Sequence, residues 1–140
     1  MPRATSGITV ANRLAELERV SHIVEAFGLR HALPAKMVFE IKLALDEVLT
    51  NVIEYAYDDA GNHEIGVRLA IADDVLSVEV EDDGRPFNPM DVPAADVTQA
   101  VEDRPVGGLG VHLVRQVMSG LEYRRERGKN ILVMTKRIGA

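Results

Sequence analysis

Two polar side chains, Glu47 and Asn51, stand four residues apart in the stretch 41–57, which reads IKLALDEVLTNVIEYAY. At that spacing on a helix, the two side chains lie on one face, one turn apart. A carboxylate can accept a proton, and a carboxamide oxygen can bind a hard cation such as Mg²⁺. Such pairs also occur on ordinary solvated helix faces, so the pair alone leaves both interpretations open.

Two more segments downstream could carry chemistry, Asp82-x-Gly84 and the glycine-rich GGLG at 107–110. A buried aspartate can accept a hydrogen bond from the amine of adenine, and a nearby glycine lets the backbone approach the base. A glycine-rich helix start offers free N–H groups and the positive end of the helix dipole to phosphates. Each segment alone is equally an ordinary turn or a tight loop-to-helix junction, and GGLG is not a P-loop. Together with Glu47 and Asn51, and in this order, they predict a nucleotide site.

The secondary structure that must position these segments can be predicted from hydrophobic periodicity. Apolar residues recur every three or four positions across 41–53, which is typical of an amphipathic helix, and Pro34 suits its first turn. Apolar residues then alternate across 65–71 and 76–80, around Asp73-Asp74, which predicts an antiparallel hairpin.

The ends of the chain add a strand, two helices and a second hairpin. SGITV at 6–10 predicts an outer strand, and Asn12 is expected to cap a helix over about 13–27 that ends at Gly28. A further helix is expected from the GGLG segment to Gly120, followed by a hairpin over 121–136. This order predicts an α+β fold, a two-layer sandwich of sheet and helices.

Composition limits the class of protein. The chain has 140 residues, 46% of them hydrophobic and 4% aromatic, which predicts a single domain over 1–140 with an aliphatic core. The net charge of −6 argues against a nucleic-acid partner, because phosphate backbones are bound through basic surfaces. The sequence has no cysteine, signal-like segment or long apolar run, so we expect a cytoplasmic protein without a membrane partner.

The three segments together resemble the GHKL family of ATP-binding proteins, in its branch of anti-sigma-factor serine kinases of the RsbW and SpoIIAB type. The resemblance is carried by DEVLTNVIEYAY at 46–57, VEDDGRPFNP at 80–89 and GGLGVHLVRQVMSGLEY at 107–123, and by the closing KNILVMTKR. It implies the family's fold, in which a mixed, largely antiparallel sheet packs against helices. The sequence departs from many family members at Pro86, where they have a second glycine.

The resemblance implies a role for each matching residue. Glu47 becomes the general base, Asn51 the Mg²⁺ ligand, and Asp82 the carboxylate that reads adenine beside Gly84. A lid is implied over about 91–106. Further nucleotide contacts are implied for Arg104, Gly107, Gly108, Leu109, Gly110 and Thr135. Arg104 could equally be a solvated charge, and Thr135 an ordinary strand residue.

The resemblance also implies function: an ATP- and Mg²⁺-dependent serine kinase and anti-sigma factor in a partner-switching system. It would phosphorylate a serine of a STAS-type anti-anti-sigma protein, hold a sigma factor or comparable output protein, and form a homodimer. A second hypothesis is a nucleotide-binding module that sequesters its partner without kinase turnover. A third is the ATPase module of a sensor kinase, which the chain length and the lack of a phosphoacceptor domain disfavour.

The four histidines are expected to lie outside this chemistry. His22 lies on the first predicted helix, but the residue after it is Ile23 rather than the acid usual beside a phosphoacceptor histidine. His31, His63 and His112 lack metal-ligand spacing, and we expect them to be surface or capping residues.

Overall fold

The described part of the chain folds into one five-stranded sheet and three α-helices. The computed structural model describes residues 4–59, 61–91 and 108–139, with only the backbone at 108–110. In chain order the elements are β1 (Ala4–Ala11), α1 (Leu17–Arg30), α2 (Ala35–Tyr55), β2 (Glu64–Ala72), β3 (Val75–Asp82), α3 (Gly108–Val117), β4 (Gly120–Glu126) and β5 (Lys129–Arg137). Short 3-10 turns lie at Leu14–Glu16 and Pro89–Asp91.

The strand order in the sheet is β1-β2-β3-β5-β4, and each neighbouring pair is antiparallel. The predicted α+β fold is therefore confirmed, and the described sheet is wholly antiparallel rather than mixed. Asp73 and Asp74 form the β2–β3 turn with φ of 51° and 63°, and Arg127 and Gly128 repeat this geometry between β4 and β5. Such left-handed two-residue turns match the twist of paired strands.

Helix α2 forms the centre of the core. At the start of this helix, the carbonyl of Pro34 accepts the Val38 N–H at 3.1 Å. One face is buried against the sheet and the neighbouring helices, including Ile41, Leu45 and Leu49. The sheet supplies the opposing apolar side chains at alternate positions: Val67, Leu69, Val78, Val80, Leu132 and Met134. Burial of this long face fixes the rotation of α2 about its own axis, and with it the side of the helix on which Asn51 meets the loop after β3.

Helix α1 differs from prediction at both ends. Gly28 lies inside the helix rather than after it. A Cβ on Gly28 would lie 2.5 Å from Cγ2 of Val38, because α1 passes close to α2 at this position. The chain reverses at Ala32 instead, with φ of 55°. The Asn12 side chain does not cap the helix, because its Oδ1 accepts the His63 N–H at 3.0 Å.

The predicted lid lies almost entirely outside the described residues. Of the predicted lid at about 91–106, only Asp91 is described, at the end of a 3-10 turn. No helix in the described ranges combines the length and apolar character needed to cross a bilayer.

Candidate functional site

Glu47 and Asn51 lie one turn apart on α2, as predicted, and each has an oxygen without a partner. Asn51 is 0% exposed, and its Nδ2 donates to the carbonyl of Pro89 at 2.9 Å. Its Oδ1 and the Oε1 of Glu47 are buried and accept no hydrogen bond from any described residue. Because buried polar atoms are normally paired, two such oxygens together mark a place where a ligand can bind.

Burial also changes the acidity of Glu47. It raises the pKa of this carboxyl above its usual value, and the neighbouring Asn51 amide opposes part of the rise. A carboxylate with a raised pKa is a stronger base. Glu47 is therefore suited to accept a proton from a hydroxyl group.

Asp82 ends β3 and is held in place by two donors. It is 2% exposed, and its Oδ1 accepts the Gly84 N–H and the Asn130 side-chain amide, each at 2.9 Å. Burial raises the pKa of Asp82, while these two hydrogen bonds act in the opposite direction. The result is a buried acceptor in a fixed orientation.

Gly84 has a packing role in addition to the one predicted. A Cβ at this position would lie 2.4 Å from the carbonyl oxygen of Ala56, at the end of α2. The next residue, Arg85, donates its N–H to the same oxygen at 2.9 Å. The loop after β3 therefore packs directly on the end of α2, and a larger residue than glycine would push the two apart.

Asn130 was not predicted, and it is the side chain that organises the loop after Asp82. It is 1% exposed and stands opposite Asp82 in the register of β3 and β5. Its amide also donates to the carbonyl of Arg85 at 2.8 Å, and its oxygen accepts from Phe87 N, Tyr123 OH and Arg125 Nη1. Its sequence signal is an amide that shares a strand face with Leu132 and Met134.

Thr135 does not reach this site. It pairs with Ser77 and with Gly120, an odd number of residues from Asn130, so it lies on the opposite face of the sheet from Asp82. The implied role of Thr135 at the adenine end is therefore not supported by its position. Asn130 is the β5 residue beside Asp82.

The glycine-rich segment starts α3, as predicted. The backbone of Gly108, Leu109 and Gly110 is helical, and only the backbone is described at these three residues. Gly107 and Arg104 lie outside the described residues. From the last turn of α3, Arg115 Nη2 donates to the carbonyl of Met90 at 3.1 Å. The Pro89–Asp91 turn thus contacts both α2 and α3 and links Asn51 to the third predicted segment.

His63 borders the site rather than lying apart from it. Its Nε2 is 2.9 Å from Asp59 and its Nδ1 is 3.3 Å from Asp83, while its ring stacks on Tyr57 with centroids 4.3 Å apart. Asp83 is the middle residue of Asp82-x-Gly84, so His63 links the loop after α2 to the loop after β3. The prediction of an ordinary surface histidine missed this contact.

The donor chemistry at Asn51 fits Mg²⁺. No cluster of three or more His, Cys, Asp or Glu side chains that could hold a metal is found among residues 4–59, 61–91 and 111–139. A nucleotide-bound Mg²⁺ needs few protein ligands, because phosphates and water supply most of its oxygens. The unpaired Oδ1 of Asn51 is a hard oxygen donor of the required type.

Several known proteins are similar to this chain in sequence or in fold. The chain is 28% identical over 112 residues to the serine/threonine-protein kinase BtrW of Bordetella bronchiseptica, covering 80% of the chain and 79% of that protein. It is 33% identical to the serine-protein kinase RsbW of Bacillus mycoides, over 71% of the chain and 63% of that protein. Listeria monocytogenes RsbW is 31% identical over 71% of the chain and 65% of its own length.

A solved structure, the blue-light activated histidine kinase EL346 of Erythrobacter litoralis, matches with a TM-score of 0.57 and 23% identity. The match covers 89% of this chain and 41% of that one and concerns the fold alone. Residues 10–136 match the family model described as the histidine kinase-like ATPase domain. This match spans most of the chain and all three predicted segments, so the chain belongs to the histidine kinase-like ATPase domain family.

Proposed function

We propose that the chain is an ATP-dependent protein serine kinase and anti-sigma factor. Its substrate is a serine on a STAS-type anti-anti-sigma protein, and its other partner is a sigma factor or a comparable output protein. The main support is the pair of buried, unpartnered oxygens of Glu47 and Asn51, one turn apart on α2. The names of the RsbW and BtrW relatives support the same reaction.

Asp82 binds the adenine end of the nucleotide in this proposal. Its carboxylate accepts a hydrogen bond from the exocyclic amine of adenine. The Gly84 N–H and the Asn130 amide both donate to Oδ1, so neither of them uses Oδ2. A carboxylate has about four lone-pair sites in total, so an acceptor position remains for a ligand. Asn130 fixes the direction of this acceptor, which favours a base with an amine over one with a carbonyl at that position.

Asn51 and the start of α3 bind the phosphate end. The Asn51 Oδ1 would hold Mg²⁺, which when bound offsets the negative charge of the phosphates. The backbone N–H groups at the glycine-rich start of α3 (Gly108–Val117) are expected to donate to phosphate oxygens. Gly107 and Arg104 remain proposed contacts of the same phosphates.

Glu47 acts on the protein substrate. Its carboxylate orients the serine hydroxyl and takes its proton as the serine oxygen attacks the γ-phosphorus, while the bond to the β,γ-bridging oxygen breaks. Burial raises the pKa of Glu47, which makes it a better base for this transfer. Desolvation of the carboxylate is the physical reason that a helix glutamate can do this chemistry.

The first test is calorimetry of Mg²⁺-ATP binding to the wild type and to Asn51→Ala. We expect binding by the wild type and a loss of at least tenfold in affinity in the variant. Transfer of ³²P to a STAS protein is then compared in Glu47→Ala and in Glu54→Ala, an exposed glutamate of the same helix. We expect transfer to fall about 10²- to 10⁴-fold in the first variant and to stay unchanged in the second.

Each result separates the hypotheses. Normal ATP binding without phosphoryl transfer in the wild type would favour a partner-sequestering module without turnover. Transfer that persists in Glu47→Ala would show that the base is another group. The absence of ATP binding by the wild type would overturn the proposal. A homodimer, in which β1 and α1 form the interface, remains part of the proposal and is testable by sedimentation.

A further inference from the structure

Asn51 has one side of its carboxamide committed to the protein. The carbonyl oxygen of Pro89, 2.9 Å from Nδ2, can only accept a hydrogen bond. The amide nitrogen must therefore face Pro89, and the oxygen must point the other way, where it accepts from no described residue. The orientation of this oxygen thus depends on the position of a carbonyl 38 residues further along the chain.

That carbonyl belongs to a short turn built by Asn88. The Oδ1 of Asn88 accepts the Met90 N–H at 2.9 Å, and its backbone carbonyl accepts the Asp91 N–H at 2.9 Å. Pro89 starts the 3-10 turn, where it lacks only an N–H that would have no partner there. Pro89 and Met90 are both buried, so the turn is anchored in the core.

A second side chain holds the turn from α3. Arg115 Nη2 donates to the carbonyl of Met90 at 3.1 Å. Successive carbonyls of one turn are therefore bound by two different helices, Pro89 by Asn51 of α2 and Met90 by Arg115 of α3. The turn cannot shift without breaking one of these contacts.

We infer that Asn88 and Arg115 are positioning residues that set the Mg²⁺ affinity of the site through the Pro89–Asp91 turn. The inference rests on the proposed function of Asn51. A carboxamide whose nitrogen is not held can rotate and present N–H groups, which cannot bind a cation. Holding the Pro89 carbonyl keeps the Asn51 oxygen directed outward before the cation arrives.

The test titrates Mg²⁺ into the full chain with ATP present, starting in EDTA, and follows nucleotide affinity by calorimetry. In Asn88→Ala we expect the Mg²⁺ concentration for half-maximal effect to rise about tenfold. ATP affinity in EDTA should be unchanged. Asn88→Ser, which keeps an oxygen for the Met90 N–H, should behave as the wild type. The matched control is Asn62→Ala, because Asn62 is exposed and bonds only the Arg13 side chain among the described residues.

Arg115→Met keeps most of the side-chain volume and removes the donor to Met90. We expect it to raise the half-maximal Mg²⁺ concentration as well, by a few-fold. A readout without nucleotide is the NMR signal of the Asn51 side-chain NH₂ group, identified by its loss in Asn51→Asp. Its hydrogen exchange should be slow in the wild type and faster in Asn88→Ala and Arg115→Met.

The outcomes distinguish this inference from the proposed function. A wild type that fails to bind ATP at any Mg²⁺ concentration overturns the proposed function. The positioning role alone is overturned if the wild type binds ATP with Mg²⁺ and both variants, Asn88→Ala and Arg115→Met, show the same Mg²⁺ dependence and the same amide exchange as the wild type. If Asn88→Ala unfolds, the comparison of Arg115→Met with wild type decides by the same two readouts.

Discussion

The Asn130 amide donates to Asp82 Oδ1 at 2.9 Å, across two strands in which these residues stand directly opposite. Both side chains are buried on the helix-covered face of the sheet. The aspartate proposed to read adenine is therefore oriented by the neighbouring strand as well as by its own loop. The same asparagine also accepts the N–H of Phe87, so it holds the loop that leads to Asn88 and the Pro89–Asp91 turn.

Asn130→Ala should weaken both folding and nucleotide binding. The change leaves the Arg85 carbonyl and the Phe87 N–H without this partner, and each such loss in the interior costs about 1–3 kcal/mol. We expect the free energy of unfolding to fall by about 2–4 kcal/mol, measured by urea denaturation, and ATP affinity to fall at least tenfold.

Thr135→Ala is the matched control on the same strand, since Thr135 lies on the other face of the sheet. It should leave ATP affinity unchanged and should alter stability much less than Asn130→Ala. Equal losses of ATP affinity in the two variants would contradict the assignment of Asn130 as the residue that orients Asp82.

Glu47→Gln should make the protein more stable at neutral pH. Burial raises the pKa of Glu47 in the folded state, so the folded protein binds this proton more tightly than the unfolded chain. The carboxyl group's contribution to stability therefore falls as pH rises from about 4.5 through the folded pKa. Removing the charge should raise the unfolding temperature at pH 7, measured in EDTA by calorimetry, and the gain should vanish near pH 4.

The comparison for this prediction is Glu54→Gln, an exposed position on the same helix. It should change the unfolding temperature little at either pH. An unchanged or lower unfolding temperature for Glu47→Gln at pH 7 would show that ionised Glu47 is not strained by burial. A higher unfolding temperature together with a loss of phosphoryl transfer would mean that ionised Glu47 lowers the stability of the fold but is needed for activity.

His63 should also make stability fall as the pH rises, but here because the folded state stabilises a charge rather than destabilising one. Its hydrogen bond to Asp59, followed by the charges of Asp59 and Asp83, raises the pKa of the imidazole. The stabilisation is fully present below the unfolded pKa of about 6.5 and is lost as pH rises through the higher folded pKa. The difference in unfolding temperature between wild type and His63→Gln should therefore be largest near pH 6 and should shrink as the pH rises toward 8.

A constant difference between wild type and His63→Gln across pH 5.5 to 8.5 would mean that the ion pairs with Asp59 and Asp83 contribute nothing. In that case the stacking on Tyr57 and backbone effects would account for the whole change. Asp59→Asn, which removes the first partner, should reduce the pH dependence without removing the stack.

Gly84→Ala should destabilise the fold strongly although it adds a single methyl group. The new Cβ would meet the Ala56 carbonyl at 2.4 Å, and a backbone oxygen cannot move aside as a side chain can. We expect a loss of about 2 kcal/mol or more in the free energy of unfolding. Gly7→Ala is the control, because its Cβ would lie 3.6 Å from the nearest atom; similar stability of the two variants would contradict this packing role.

The sequence by itself determined the order of the helices and strands and the family. The 3.6-residue period of α2 and the two-residue period of β2, β3 and β5 are local properties, because they follow from which side chains share a face. The pairing of Glu47 with Asn51 on α2 was predictable for the same reason. The turn at Asp73-Asp74 was also a local signal and is confirmed by the hairpin.

The partners of these residues were decided only by the tertiary structure. Asn51 and Pro89 are 38 residues apart, and Asp82 and Asn130 are 48 apart, so no local period relates them. The choice between Asn130 and Thr135 depended on the register of β5 against β3, which places Asn130 and not Thr135 opposite Asp82. Local patterns predict which face of an element is apolar, whereas only packing determines which polar groups meet across it.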